Sequence, residues 1–457
     1  MSNERAVCAE GIRSLCHWAA SVRFSDIPAN VQARAVHVLA DDLAAIVGAR
    51  DEPEVARFHQ RTLSQTRPRE ATVFRGGRQR TDAVSAIAAN ALAADWLELD
   101  EGYRPVSCHA GLYALPALLA ECEWRDRAFS TLVRALVLSY EISTRLARAW
   151  TLKAMTIQPH GRFSAIGSAA AVALARGFDG QQLAGILGTA VTLGGSSPRT
   201  HLAEGTLSRN TWPASGAMSG WMATEWAECG IEGEASAFYD VYSSLLGGTA
   251  MPEVLSGRLG HSWAILDGYT KIHACCQHLH SAVEAALELR PALEGKIDQI
   301  ATLRVETHSL ALPLMDATPR TTLGARFSMP HAIASVLLSG SGGAEAFAAA
   351  TLASAAIASL RPLVSVAPFT PTLPAPNDRP ARVVVRLRSG EEFAAECLSA
   401  RGGPDRPLPP STVFDKVSML AGPVYPAMRG VLESLATLPA AGVSNGWAAI
   451  VGEMCES

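Results

Sequence analysis

Four stretches of this chain gather side chains that can move protons or hold carboxylates. The first runs Glu98-Leu-Asp-Glu-Gly-Tyr-Arg-Pro-Val-Ser-Cys-His109, where an apolar run ends in three acids, a glycine turn and an imidazole. A charged helix end followed by a solvated loop reads equally from the pattern, yet loops on a rigid scaffold often carry function. The second, Ile157-Gln-Pro-His-Gly-Arg-Phe163, sets His160 beside a helix N-terminus, where unpaired N–H groups favour a carboxylate. The third, Glu204 to Trp212, offers Arg209 for a two-pronged contact with a carboxylate. An exposed arginine without a ligand fits the same spacing. The fourth, Tyr269-Thr-Lys-Ile-His-Ala-Cys-Cys-Gln-His-Leu-His280, is dense in Lys271, His273, His278 and His280. No two of these histidines form the i, i+4 pair of a helical metal site and no carboxylate lies among them, so no metal is expected. Cys275 and Cys276 read as packing thiols.

These stretches need elements to hold them. Val31–Ala49 spaces its apolar residues by threes and fours, as a core-facing helix requires. Helices are also predicted over 82–97, 109–121, 129–150 and 164–176, the last ended by Gly177. Patterning changes near Ile300. Ile300–Thr307 and Ala381–Arg388 alternate with period two, and Ser389-Gly390 after the second predicts a tight turn and a further strand. Helices over 327–338 and 344–360 lie between them. The reading is a mainly α protein: a helical domain over 1–265, a smaller α+β lid over 266–402, and C-terminal helices over 403–457 that return to the helical domain. Arg401-Gly-Gly-Pro404 and the prolines that follow read as a linker.

With 457 residues, 48% hydrophobic and 18% charged, the chain can bury a large core. Lys plus Arg is 39 and Asp plus Glu is 43, a near balance that gives no reason to expect nucleic acid or an acidic membrane as partner. Nine scattered cysteines form no disulfide framework. Neither a signal-peptide run nor an unbroken apolar stretch of about 20 residues is present, so the expectation is a cytoplasmic protein.

Five stretches in order, LELDEGYRPVSCHAGLYALPALLA (97–120), PHGRFSAIGSAAAVA (159–173), EGTLSRNTWPASGAMSG (204–220), KIHACCQHLHSAVEAALEL (271–289) and ARFSMPHAIASVLL (325–338), resemble the MmgE/PrpD family. That family includes 2-methylcitrate dehydratase, cis-aconitate decarboxylase and iminodisuccinate epimerase. The resemblance implies a large helical domain built from both chain ends, an α+β lid, a cleft between them, a homodimer and no cofactor. It places the family's active-site histidines at His109 and His160 and its lid lysine at Lys271. Three positions depart from the decarboxylase pattern: Glu98 for an aspartate, with Gly102 for the threonine after it; Arg209 for a lysine; and Cys276 for a histidine, with His273 nearby.

The chemistry this implies is removal of a proton next to a carboxylate of a small polycarboxylic acid. Negative charge then builds on the carboxylate oxygens and must be met by donors, for which Arg209, His109 and His160 stand as candidates, with Glu98 and His273 as further substrate contacts. Lys271 serves as base if burial and Arg209 lower its pKa. Epimerisation needs groups on both faces of the carbon, and Lys271 with Tyr140 is a candidate pair, although a buried tyrosine also serves structure alone. The departures favour an isomerase like iminodisuccinate epimerase over a lyase that removes water from an acid such as 2-methylcitrate. A non-catalytic binding or scaffold protein is the third reading.

Overall fold

Alanine-rich, nearly uncharged segments can bury a helix on several sides at once. The computed structural model, which describes residues 3–153, 156–195, 197–437 and 444–456, bears this out. Its helices include α1 (Ala29–Gly48), α2 (Ala83–Ala94), α3 (Ala110–Trp124), α4 (Phe129–Ala149), α5 (Pro159–Arg176) and α6 (Thr211–Glu228). Helix α5 is the hub and packs on α3, α4 and α6. Small residues permit this crowding: a Cβ at Gly220 of α6 would stand 2.7 Å from the Ala169 nitrogen of α5. The C-terminus of α5 is closed by Gly177 at φ 83°, as its sequence predicts.

The α+β part begins with α7 (His280–Leu289) and holds a four-stranded sheet. Strands β1 (Ile300–Thr307), β3 (Ala381–Leu387) and β4 (Glu392–Cys397) fall where period-two alternation predicts them. The sheet order is β4-β3-β1-β2, with Val305 opposite Val383 and Phe393 opposite Val385 in antiparallel register. Strand β2 (Val364–Pro368) was not legible; it is short, ends in proline and runs parallel to β1. Helix α8 (Met329–Ser339) matches expectation. The single helix expected over 344–360 is instead a 3-10 turn, Ala344–Phe347, and two short pieces, Ala349–Leu352 and Ala355–Leu360. Extended backbone at Ala348 and Ser354 interrupts it, and Ser354 restarts it by accepting from the Ile357 N–H. Alanine content is a weak prior that local capping overrides.

After the α+β part the chain turns back. Helix α9 (Pro410–Leu420) packs on α1, and α10 (Trp447–Cys455) packs on α3. Residues 438–443 of the expected C-terminal helical stretch lie outside the described residues. The molecule is thus mainly α, with a smaller α+β part. No helix among the described residues is long and apolar enough to cross a membrane.

Two joints matter for the site. Gly102–Tyr103 pairs antiparallel with Gly268–Tyr269, tying the acidic loop to the segment that leads into Lys271. A side chain at residue 102 would strike the Tyr269 ring, 2.9 Å from Cε1, which is the physical reason for glycine there. The second joint is Lys416 of α9, whose buried Nζ donates to Asp41 Oδ1 at 2.8 Å, to the Leu99 carbonyl, and to the Lys271 carbonyl at 3.2 Å. One ammonium therefore holds α1, the acidic loop and the Lys271 segment together. Lys416→Met leaves Asp41 without its cation and two carbonyls without a donor, and should lower unfolding free energy by about 3 kcal/mol. Denaturant unfolding checks this; a loss under about 1 kcal/mol would show that the joint is not needed.

Candidate active site

Helix α2 ends at Ala94, and the next residues fold back instead of entering solvent. Asp95, Glu98, Asp100 and Glu101 are all buried, the most exposed at 2%, so the solvated-loop alternative does not hold. Glu98 takes a left-handed backbone, φ 53°, a strained state that persists only where its surroundings impose it. The surroundings here are cations. Arg209, carried on a short turn before α6, contacts Asp95 through Nη1 and Glu98 through Nη2 at 2.5 Å. Lys271 Nζ reaches Glu98 Oε2 at 3.2 Å and Asp100 Oδ1 at 3.3 Å. Residues distant in the chain so form one ion network.

His109 precedes the first turn of α3. Its Nδ1 lies 2.8 Å from the Glu101 carbonyl, which accepts its hydrogen bond, and 2.6 Å from Asp100 Oδ2, a charge contact without hydrogen-bond geometry. The carbonyl sets a proton on Nδ1 and leaves Nε2 with no hydrogen-bond partner among the described residues. Glu98, His109, Arg209 and Lys271 line one small cavity, together with Tyr269, Gln277, His278 and Arg379. Four of the seven site residues expected from sequence therefore share it.

His160 sits one layer behind. It is fully buried in the first turn of α5, and its ring lies edge-on to His109 at 4.9 Å. Arg209 Nη2 donates to its Nε2 at 3.0 Å, and Tyr113 Oη lies 3.1 Å from its Nδ1. Burial and then the Arg209 charge hold its pKa well below the ordinary imidazole value, so it stays neutral and orients Arg209.

Two expected residues lie elsewhere. Tyr140 is fully buried under the acidic loop, where its hydroxyl donates to Glu101 Oε2 at 2.9 Å. It does not line the cavity, and burial keeps it a phenol. His273 points into the α+β part because the chain bends at 273–275. There its Nε2 is 3.6 Å from Glu284 Oε1, and its ring packs on His280 at 5.2 Å.

Lys271 also differs in its expected state. Burial opposes its charge, but Asp100 and then Glu98 outweigh burial and raise its pKa well above that of an ordinary lysine. That favours the ammonium over the neutral amine a base needs. Arg209 is likewise engaged by Asp95 and Glu98, so neither fork arm is turned wholly to a ligand. Asp95, Glu98 and Asp100 each bring a carboxylate oxygen within 4.8 Å of the others, close enough for a cation. Arg209 and Lys271 already supply the positive charge there. Cys275 and Cys276 are buried thiols pushed up by that burial, Cys276 to about 11, which suits packing.

Sequence reasoning missed Asp95, Asp100, Tyr269 and Arg379. Asp100 carried a signal, since it stands in the quoted acidic run, but spacing could not show which acid meets the imidazole. Arg379, between Asp378 and Pro380, carried none.

A mainly helical protein with an α+β part and a polar cavity bounded by both defines the class. The chain belongs to the MmgE/PrpD family: residues 13–246 match its N-terminal domain and 273–436 its C-terminal domain. Among curated relatives, a cis-aconitate decarboxylase-like protein of Aspergillus oryzae is 25% identical over 449 residues, covering 91% of each chain. The cis-aconitate decarboxylase of Aspergillus terreus is 27% identical over 303 residues, 60% of this chain and 59% of that one.

The tautomer is directly measurable. In nitrogen-15 histidine spectra at about pH 8, above the ordinary imidazole range, His109 should show a protonated Nδ1 and a bare Nε2, and Asp100→Asn should disturb that pattern. The opposite tautomer in the unaltered protein would remove His109 as a base facing the cavity.

Proposed function

We propose that this protein is an enzyme that removes a proton or a carboxylate group next to a carboxylate of a small di- or tricarboxylic acid, acting as a lyase. The observation that carries this is His109, held through Nδ1 by the Glu101 carbonyl with the Asp100 carboxylate beside it, and with Nε2 left for the cavity that the Lys271 ammonium also lines. A neutral imidazole oriented by a carboxylate is a general base, and the carboxylate steadies the imidazolium that forms. His109 replaces Lys271 in that role.

In an elimination, Nε2 takes the proton on the carbon beside the carboxylate. That C–H electron pair becomes the new double bond as the leaving group departs with its own electron pair. A leaving hydroxyl needs a proton, and Lys271 and Tyr269 are donors on the cavity wall; burial pushes the Tyr269 phenol up to a value at which it stays protonated. In a decarboxylation, carbon dioxide leaves instead, the broken C–C bond's electron pair stays on carbon, and a protonated group on the cavity wall, the Lys271 ammonium or the Tyr269 phenol, supplies the proton to that carbanion. Both routes pass through charge that the Lys271 ammonium and neighbouring donors stabilise. The names of the Aspergillus relatives support a lyase on a small polycarboxylate.

Epimerisation, favoured by the sequence, is the second reading. It uses the same base and needs a proton returned on the other face. Tyr140 is not at the cavity, but Tyr269 is, and its phenol keeps this reading open to test.

Incubation with candidate acids in deuterated water separates the cases. Absorbance of a conjugated acid, or release of carbon dioxide, supports the lyase. Deuterium at the α-carbon with inversion and no new double bond supports the epimerase. His109→Gln should lower turnover by about 10³-fold with folding retained, as loss of a general base does. Near-normal turnover in that variant would remove His109 from the mechanism, and no exchange with any such acid would favour a scaffold.

A further inference from the structure

Positive charge is not spread evenly round the cavity. At the His109 end, Arg209 and Lys271 face Asp95, Glu98 and Asp100, two cations against three carboxylates. At the far wall the balance reverses. Arg379, 9% exposed, comes from the segment just before β3. Its Nη1 donates to the Gln277 side-chain oxygen and its Nη2 to the Arg104 carbonyl at 3.0 Å, both neutral acceptors. Its Nε is buried without a hydrogen bond. The carboxylate beside it, Asp378, is 3.9 Å from Nε at its nearest, and Arg104 already grips it at 2.7 Å. Two guanidiniums thus share one carboxylate, inside a wall where burial makes unmatched charge costly. The cost registers on Arg379 itself: burial, then the Arg104 charge, bring its pKa down to about 10. His278, on the same wall, is kept neutral chiefly by burial and next by Arg379, so it adds no competing charge.

An arginine left short of one negative charge in a ligand cavity is completed by an anion with a planar fork. We propose that Arg379 binds the substrate carboxylate remote from the reacting carbon, and that Arg104 and Asp378 position it there. The site is therefore selective for acids with at least two carboxylates, and a monocarboxylate or half-amide of the same shape is rejected. This rests on the reading of the site as one for small polycarboxylates and adds the residue that counts the charges. The Arg104–Asp378 pair also bridges the acidic-loop side and the α+β side, so the remote carboxylate is read only where both sides meet.

The test is binding, without turnover. Calorimetry with succinate, a saturated dicarboxylate, and with its monoamide, succinamate, is carried out on the unaltered protein, Arg379→Gln and Arg379→Lys. The unaltered protein should bind the diacid more tightly than the monoamide. Arg379→Gln should lose about 30- to 100-fold in affinity for the diacid, the worth of a charge-assisted pair, and little for the monoamide. Arg379→Lys, which keeps charge but not the fork, should fall between. Equal affinity for the diacid in unaltered protein and Arg379→Gln overturns the assignment while leaving the polycarboxylate reading intact. An unaltered protein that binds neither probe overturns that reading and this inference with it. Should Arg379→Gln fail to fold, the unaltered protein's preference between diacid and monoamide decides: no preference overturns the assignment.

Discussion

Everything at the centre of this molecule depends on burying carboxylates and cations together. Taking one ion out of water costs several kcal/mol, and that cost is offset only when partners arrive with good geometry. Asp95, Glu98 and Asp100 come from one loop, Arg209 from a turn before α6, and Lys271 from the entrance to the α+β part. None of these segments is stable buried alone. The fold therefore brings them together at once: the bridge at Gly102 and Tyr269 aligns two of them, and Lys416 locks the same two onto α1. The left-handed backbone at Glu98 is the local strain of turning a carboxylate inward to meet both cations.

This network determines which groups remain for chemistry. Cations bound to internal carboxylates are favoured in their charged form, which is why Lys271 is proposed to stabilise developing charge and not to abstract protons. Arg209 stiffens the wall, with His160 behind it. What the network leaves over is the Nε2 lone pair of His109 at one end and the under-matched guanidinium of Arg379 at the other. On the proposed reading, a base and an anion receptor across one cavity make a site preset for a small acid with charge at both ends.

The architecture was largely legible in the residues. Periodicity located α1, α4, β1 and β3 closely, because each buries one face with a regular repeat. It failed over 344–360, where capping at Ser354 outranks alanine propensity, and at β2, whose pairing is set by a distant strand. Within the site, the residue types were legible and their states were not. Lys271 and His109 stand out in sequence, but which of them holds a lone pair depends on Asp100 touching both, a contact spacing cannot reveal. Tyr140 and His273 lie in suggestive stretches and are turned away by Glu101 and by the bend at 273–275. Arg379 becomes visible only once Asp378 is seen to be taken by Arg104.

A crystal structure with a non-reacting polycarboxylate bound tests the central claim most directly. The account predicts the ligand's α-carbon within about 3.5 Å of His109 Nε2, with one carboxylate on the Lys271 side of the cavity. A ligand seated with His109 turned away, or with Lys271 detached from Glu98 and Asp100 and aimed at that carbon, would contradict it.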